Sequence, residues 1–209
     1  MVDRLVEQGI RDERVLAAMG HVPREKFVPS GVAGRAYEDE RLPIGHGQTI
    51  SHPWTVARLA ELLDVGAGAK VLEIGSGSGY QAAVLAEMGV RVFSVERRAE
   101  LARRAARTLK ELSYLRATVK QFDGTYGWAA MAPYDGIVVT AGGPDIPDTL
   151  VGQLVAGGRL VLPVAKEDGV SQRLVVVTRT RLGRREEDHG PASFVPLIGR
   201  YGYSDAPPA

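Results

Sequence analysis

Three acids stand where this chain could meet a cofactor. The run VLEIGSGSGY sets Glu73 just ahead of Gly75, Ser76, Gly77 and Gly79. Glu96 closes the run VFSVE, and Asp123 with Gly124 follows RATVKQF. Glycines let a ligand approach the backbone and admit dihedrals closed to other residues. This E-x-G-x-G-x-G pattern is not the G-x-G-x-x-G fingerprint of a dinucleotide site, whose third glycine would fall on Tyr80. An acid ahead of the glycines sits poorly against a pyrophosphate and well against a cation. The pattern points to a nucleoside whose far end is positive: S-adenosylmethionine, with its ammonium and sulfonium. Glu96 is placed to accept the ribose hydroxyls, as acids do in dinucleotide folds, and Asp123 to meet an adenine amino group. Any one of these acids alone reads as a solvated loop charge. Three in order, one beside a glycine turn, read as a cofactor site.

A second stretch, LPIGHGQTISHP over residues 42–53, holds no acid, Lys or Arg, yet carries two glycines, an amide, two hydroxyls and two histidines. On spacing alone Ser51 reads as the N-cap of the helix that starts near Pro53. A helix N-terminus also favours an anion. Gln48 and Thr49 either line a pocket or satisfy loop backbone, while Gly45 and Gly47 shape the turn. His46 and His52 have no third ligand at metal spacing, so no metal is expected. No G-x-S-x-G elbow supports a hydrolase.

These residues need a scaffold. From residue 70, KVLEI reads as a buried strand and RVFSVE, RATVKQF, YDGIVVTA and GRLVLPV as further strands, alternating with helical runs. That rhythm predicts an α/β, Rossmann-like fold: a central parallel sheet with helices on both faces. The late SQRLVVVTRTRLGRREEDHG reads as a hairpin adding antiparallel strands at the edge, and FVPLIG as a core strand. Ahead of the sheet, RDERVLAAMGHV predicts a helix with Asp12 as N-cap. The expectation is one domain over residues 1–209: a helical extension at 1–64 holding the loop 42–53, a core at 65–165, antiparallel strands at 166–200 and a loose tail at 201–209. Arg97, Arg98, Arg103, Arg104 and Arg107 read as the solvated face of a helix whose Leu101, Ala105 and Leu112 point inward. Trp54 and Trp128 read as packing residues.

Composition narrows the class. Apolar residues make up 44%, charged residues 24%, and the formal net charge is +1. Such a charge gives no general pull toward nucleic acid or anionic membrane. No apolar stretch reaches spanning length, and MVDRLVEQGIRDERVL lacks the apolar run of a signal peptide. With no cysteine at all, the chain is expected in a reducing, cytoplasmic setting. The sequence does not give the oligomeric state; a monomer is favoured.

The chain resembles the protein-L-isoaspartate O-methyltransferase family. The match runs through VPREKFVP, AYEDERLPIGHGQTISHP, VLEIGSGSGYQAAVLAEMG, SVERRAEL, DGTYGW, APYDGIVVTAG, IPDTLVGQL, GGRLVLPV and FVPLIG, in that order over roughly residues 20–200. VTAGG is more glycine-rich than the family's alanine-rich version. The resemblance implies a class I methyltransferase fold, S-adenosylmethionine as donor and S-adenosylhomocysteine as product. It implies as acceptor the free α-carboxylate of an L-isoaspartyl residue in a damaged protein or peptide. The ester then collapses to a succinimide, which begins repair. Ser51 matches the family's catalytic serine, and Ile44, Gly45, Gln48, Thr49 and Ile50 fall in its substrate segment. Its cofactor positions match Glu73, Gly75, Ser76, Gly77, Gly79, Glu96, Asp123 and Gly124.

The chemistry suits the neutral stretch. A carboxylate with a pKa of about 4 is already ionised at neutral pH and needs no general base. Its negative oxygen and the donor's positive sulfur both lose charge in the transition state. A fixed cation beside that oxygen would stabilise reactants more than the transition state. Neutral donors can aim the carboxylate with less penalty. Two rivals stand beside this reading: methyl transfer to RNA or a small molecule, and a non-catalytic protein that binds an adenosyl cofactor. The first would want a basic groove or aromatic platforms, against interleaved charges and 6% aromatics. A nicotinamide oxidoreductase is disfavoured by Tyr80.

Overall fold

Near-continuous apolar runs make strands buried on both faces. In Lys70–Ile74, Val71 packs into one hydrophobic core and Leu72 into the other, so the sheet separates two cores. The computed structural model describes residues 1–204. Of the tail expected to be loose, Tyr203 is instead tied in, its N–H donating to the Leu197 carbonyl at 2.8 Å and its carbonyl accepting the Gly199 N–H at 3.1 Å, while the last five residues lie outside the described ones.

The chain opens with α1 (Val2–Glu7) and α2 (Glu13–His21), then short helical turns at Arg24–Phe27 and Ser30–Arg35. Asp12 caps α2 as predicted, its side chain accepting the Arg14 N–H. Then come β1 (Leu42–Gly45), β2 (Gln48–Ile50) and α3 (Pro53–Leu63). The alternating core follows as β3 (Lys70–Ile74), α4 (Tyr80–Glu87), β4 (Arg91–Glu96), α5 (Ala99–Glu111), β5 (Ala117–Gln121), β6 (Tyr134–Val139), α6 (Asp148–Val151) and β7 (Leu154–Ala165). The hairpin β8 (Gln172–Thr180) and β9 (Gly183–Ala192) completes it.

The sheet runs β5-β4-β3-β6-β7-β8-β9. Its first five strands are parallel, and β8 and β9 add antiparallel, as expected. The chain moves outward from β3 to β5, then returns to lay β6 on the other side of β3. Ligands of open α/β sheets sit at such a switch point, beyond the carboxyl ends of the strands. The ends of β3, β4 and β6 meet there.

Three sequence expectations need correction. The stretch 42–53 is not an open loop: β1 and β2 pair antiparallel, Leu42 opposite Ile50, with a bulge between Pro43 and Gly45. Gly45, His46 and Gly47 all take positive φ in the connecting turn, and Leu42, Ile44 and Ile50 anchor the hairpin in the core. FVPLIG is not a core strand. Pro196 offers no N–H to a ladder, and the segment instead clips onto Gly142, whose N–H donates to the Val195 carbonyl at 2.8 Å and whose carbonyl accepts the Leu197 N–H at 2.7 Å. Ser51 does not cap α3: His52 holds the N-cap position, without a side-chain bond, and Pro53 sits in the first turn.

Candidate active site

The turn between β3 and α4 makes the floor. Gly75 takes φ +95°, and a Cβ there would run into the Thr140 hydroxyl. That hydroxyl donates to the Gly75 carbonyl at 2.7 Å, so the turn after β3 and the end of β6 are drawn together. Gly79, also at positive φ, packs against Ala105 of α5. Two joined cavities open above. The larger, about 310 Å³, is lined by Gln48, Gly75, Glu96, Gly124, Ala141 and the 195–198 segment, among others. The smaller, about 80 Å³, shares Gln48, Gly75, Glu96, Ala141 and Val195 with it and adds Thr49, Ile50, Ser51, Glu73, Ser76, Gly77 and Gln81.

Glu73 is fully buried in β3. Its Oε2 accepts the Ser94 hydroxyl, which meets the Ser76 hydroxyl in turn, while Oε1 has no partner among the described residues. Burial pushes this carboxyl up to about 8; the Ser94 bond offsets that in part, and neighbouring Glu96 adds to the rise. Gln81, one residue into α4, is also buried with neither amide atom paired. Unpaired buried polar atoms are costly, and two such groups on one small cavity mark a place that a polar ligand would complete. An ammonium suits the Glu73 oxygen, so these residues fit the amino-acid end of S-adenosylmethionine.

Glu96 is held rigid. Oε2 accepts the Gly77 N–H at 3.0 Å and Oε1 the Arg98 N–H at 2.9 Å. It borders both cavities with further lone pairs to offer a ribose. Asp123 is different. Oδ1 accepts the Thr125 N–H at 2.9 Å and hydroxyl at 2.8 Å, and Oδ2 accepts the Arg200 N–H at 2.9 Å. Burial alone would raise this carboxyl, but those bonds outweigh it and hold the carboxyl below its ordinary range. Asp123 lines an adjoining depression with Arg200 and Tyr203, whereas Gly124 lines the main cavity.

The hairpin forms the wall. Ser51 borders the small cavity and also a third one, of about 210 Å³, with Arg41, Trp54, Arg58 and Phe194. It therefore joins the glycine-turn side to a separate groove. Its hydroxyl receives no hydrogen bond among the described residues, while its carbonyl accepts Arg24 Nη2–H at 2.6 Å. Gln48, Thr49 and Ile50 face the small cavity; Ile44 and Gly45 line none of the three, and Ile44 is core. His46 pairs with Glu100 at 2.6 Å and His52 with Asp39 at 3.7 Å.

Several site residues escaped the sequence reading. Gln81 was visible as one amide in the apolar run YQAAVLA. Arg24 stood in VPREKFVP without a role. Arg97 and Arg98 line the larger cavity instead of a plain solvated face, and Arg104 reaches back to donate to the Ile44 carbonyl at 2.7 Å. Their place before or early in α5 turns them toward the β4 end. Trp128 packs edge-on against Phe93 at 5.7 Å, as expected.

Because the folded protein raises the Glu73 pKa from 4.5 to about 8, the unfolded chain ionises first as pH rises. Folding stability is then lost from pH 4.5 upward, and the loss levels off above about 8. Glu73→Gln, which cannot ionise, should gain on the wild type by at most about 1.4 kcal/mol per pH unit in that window. Paired urea melts at about pH 5 and about pH 8 would show it; an equal difference at both would mean that Glu73 does not titrate with folding.

The comparisons with known proteins agree with this geometry. Residues 1–202 match the family model of protein-L-isoaspartate(D-aspartate) O-methyltransferase. A protein-L-isoaspartate O-methyltransferase of Gloeobacter violaceus is 52% identical over 198 residues, covering 94% of this chain and 96% of that protein. A solved protein-L-isoaspartate O-methyltransferase superposes with a TM-score of 0.88 at 29% identity, over 97% of this chain and 67% of its own. A Plasmodium falciparum structure assigned to the same activity, in complex with S-adenosyl-L-homocysteine, gives 0.80 at 25% identity, over 94% and 96%. With the glycine turn, the acids at the strand ends and the hairpin carrying Ser51 in one place, and with relatives matched over nearly their whole length, this chain belongs to the protein-L-isoaspartate O-methyltransferase family.

Proposed function

We propose that the chain methylates the free α-carboxylate of L-isoaspartyl residues in damaged proteins and peptides, with S-adenosylmethionine as donor and S-adenosylhomocysteine as product. The ester's later collapse to a succinimide begins repair. One observation carries this reading: the small cavity is lined by hydroxyls, amides and two carboxylates, and by no Lys, Arg or His. It is a place for a cation to sit beside an ionised acceptor with no competing fixed cation at the oxygen.

The donor, when bound, supplies a methyl group on a cationic sulfonium. Glu73, with Gln81 beside it, holds the amino-acid end; the Gly75–Gly79 turn with Ser76 gives the ligand close backbone contact. Glu96 takes the ribose hydroxyls. Gly124, Ala141, Leu197 and Ile198 wall the base, with Asp123 bordering that end. The acceptor is its own nucleophile, so Ser51 is not asked to move a proton. It orients the carboxylate by a hydrogen bond, and Gln48, Thr49 and Ile50 shape the pocket around it. Most of the acceleration then comes from alignment. The acceptor peptide lies in the groove of Arg41, Trp54, Arg58 and Phe194, because Ser51 is the residue that this groove shares with the small cavity.

The absence of cysteine and the +1 charge support a cytoplasmic protein without nucleic-acid or membrane partners.

The deciding assay compares methyl incorporation into one peptide bearing isoaspartate with incorporation into the same peptide bearing aspartate. Only the first should be labelled, and equal labelling would move the acceptor elsewhere. Ser51→Ala should lower turnover about 10- to 100-fold, the worth of a hydrogen bond to a charged group, and leave S-adenosylhomocysteine affinity nearly intact. Parallel loss of both would make Ser51 structural. Glu96→Ala should weaken cofactor binding by about 10-fold or more in a calorimetric titration; unchanged affinity would take Glu96 out of the ribose site.

A further inference from the structure

Arg24 is the largest fully buried side chain, and no carboxylate pairs with it among the described residues. Its Nε–H donates to the Ala36 carbonyl at 2.7 Å and its Nη2–H to the Ser51 carbonyl at 2.6 Å. The guanidinium lies 4.7 Å from the centre of the Tyr80 ring, and Nη1 has no hydrogen-bond partner. Tyr80 begins α4, directly after the glycine turn, and lines the small cavity. One side chain therefore touches both walls of the site: the hairpin at Ser51 and the helix at Tyr80.

A buried cation without a counter-ion is a poor stabiliser, since an apolar side chain of similar volume would spare its desolvation. Its value lies in geometry. The planar guanidinium presents donors in a fixed fork, so two carbonyls and a ring face fix one another's positions. The charge is also turned away from the acceptor. It is spent on carbonyl oxygens and a π face behind the hairpin, and Arg24 does not line the small cavity.

We propose that Arg24 is a positioning residue for methyl transfer: by gripping the Ser51 carbonyl against the start of α4, it sets the direction of the Ser51 hydroxyl. This rests on the reading of Ser51 as the group that orients the acceptor. Arg24 touches neither acceptor nor donor and acts through Ser51 alone.

The test is a double-mutant cycle in turnover on an isoaspartyl peptide, with S-adenosylhomocysteine affinity measured alongside. Arg24→Met keeps the length and removes the donors. Arg24→Lys keeps the charge but loses the planar fork in which Nε and Nη2 each take one carbonyl. Each should lower kcat by about 10-fold or more, with the peptide KM and the S-adenosylhomocysteine Kd changed by less than about 3-fold. In a Ser51→Ala background the same change should cost under about 2-fold, because the hydroxyl it aims is gone. Equal factors in both backgrounds, or a loss of cofactor affinity in step with kcat, would make Arg24 a structural residue and overturn the proposal. If Arg24→Met does not fold, Arg24→Lys carries the same comparison. A slow Ser51→Ala enzyme beside Arg24 variants of normal kcat removes this inference alone. A Ser51→Ala enzyme of normal turnover removes the reading of Ser51 and this inference with it.

Discussion

Two guanidinium–carbonyl contacts hold the hairpin over the glycine turn: Arg24 to Ser51 at 2.6 Å and Arg104 to Ile44 at 2.7 Å. Strands of four and three residues are too short to be stable alone in water. Their side chains help, since Leu42, Ile44 and Ile50 are buried in the first core. Apolar burial is non-directional, however, and would tolerate small slides of the hairpin. The two arginines come from different elements, the 24–27 turn and α5, and each fixes one backbone carbonyl. The small cavity exists because these contacts keep the hairpin and the turn after β3 at a set separation.

The same arrangement solves an electrostatic problem. A reaction in which opposite charges cancel gains from neutral hydrogen-bond donors near the acceptor and from an acid near the donor's ammonium. The chain is rich in arginine, and the fold holds two guanidiniums close enough to support the hairpin while none lines the small cavity, although Arg97 and Arg98 border the larger one. Arg24 and Arg104 are bonded to backbone carbonyls of the hairpin segment. Inside, Glu73 rests in an environment that favours its neutral form, and Gln81 lines the same cavity with its amide unpaired among the described residues. Both groups are poorly satisfied in the free protein, which is the state expected of a site that a zwitterionic ligand completes.

The sequence made the scaffold legible because the scaffold is built from periodic burial. Five apolar strand runs alternating with helices predict the parallel sheet, and the glycine turn after β3 marks its ligand edge. Glu73 and Glu96 were readable for the same reason: strand ends lie at that edge whatever the side-chain packing. What was not readable depends on long-range partners. LPIGHGQTISHP looked like a loop because its short strands carry no clear alternation, and their pairing rests on a bulge and a turn of three positive-φ residues. Arg24, Gln81 and Arg104 lie in helices or helical turns, where local pattern labels them surface or neutral. The roles of the two arginines come from carbonyls 12 to 60 positions away, a distance that spacing does not encode.

Asp123 shows how topology and contact divide the work. Its place after β5 is the one that predicted a ligand acid, yet its oxygens are engaged by Thr125 and by the Arg200 N–H. Those bonds hold the start of the 124–126 turn and the 199–203 loop together. Just beyond them Gly124 lines the main cavity, and Ile198 and Tyr203, which bridge to each other, line it from the opposite side. The same C-terminal segment is fastened a second time where Gly142 pairs with Val195 and Leu197. This gives a physical role to the glycine-rich VTAGG: a side chain at Gly142 would meet the Gln172 amide, which pairs with the Phe194 backbone, and would push it from that place. The third acid of the series thus shapes the cavity through the chain it ties in place, and the same bonds hold its carboxyl below the ordinary range.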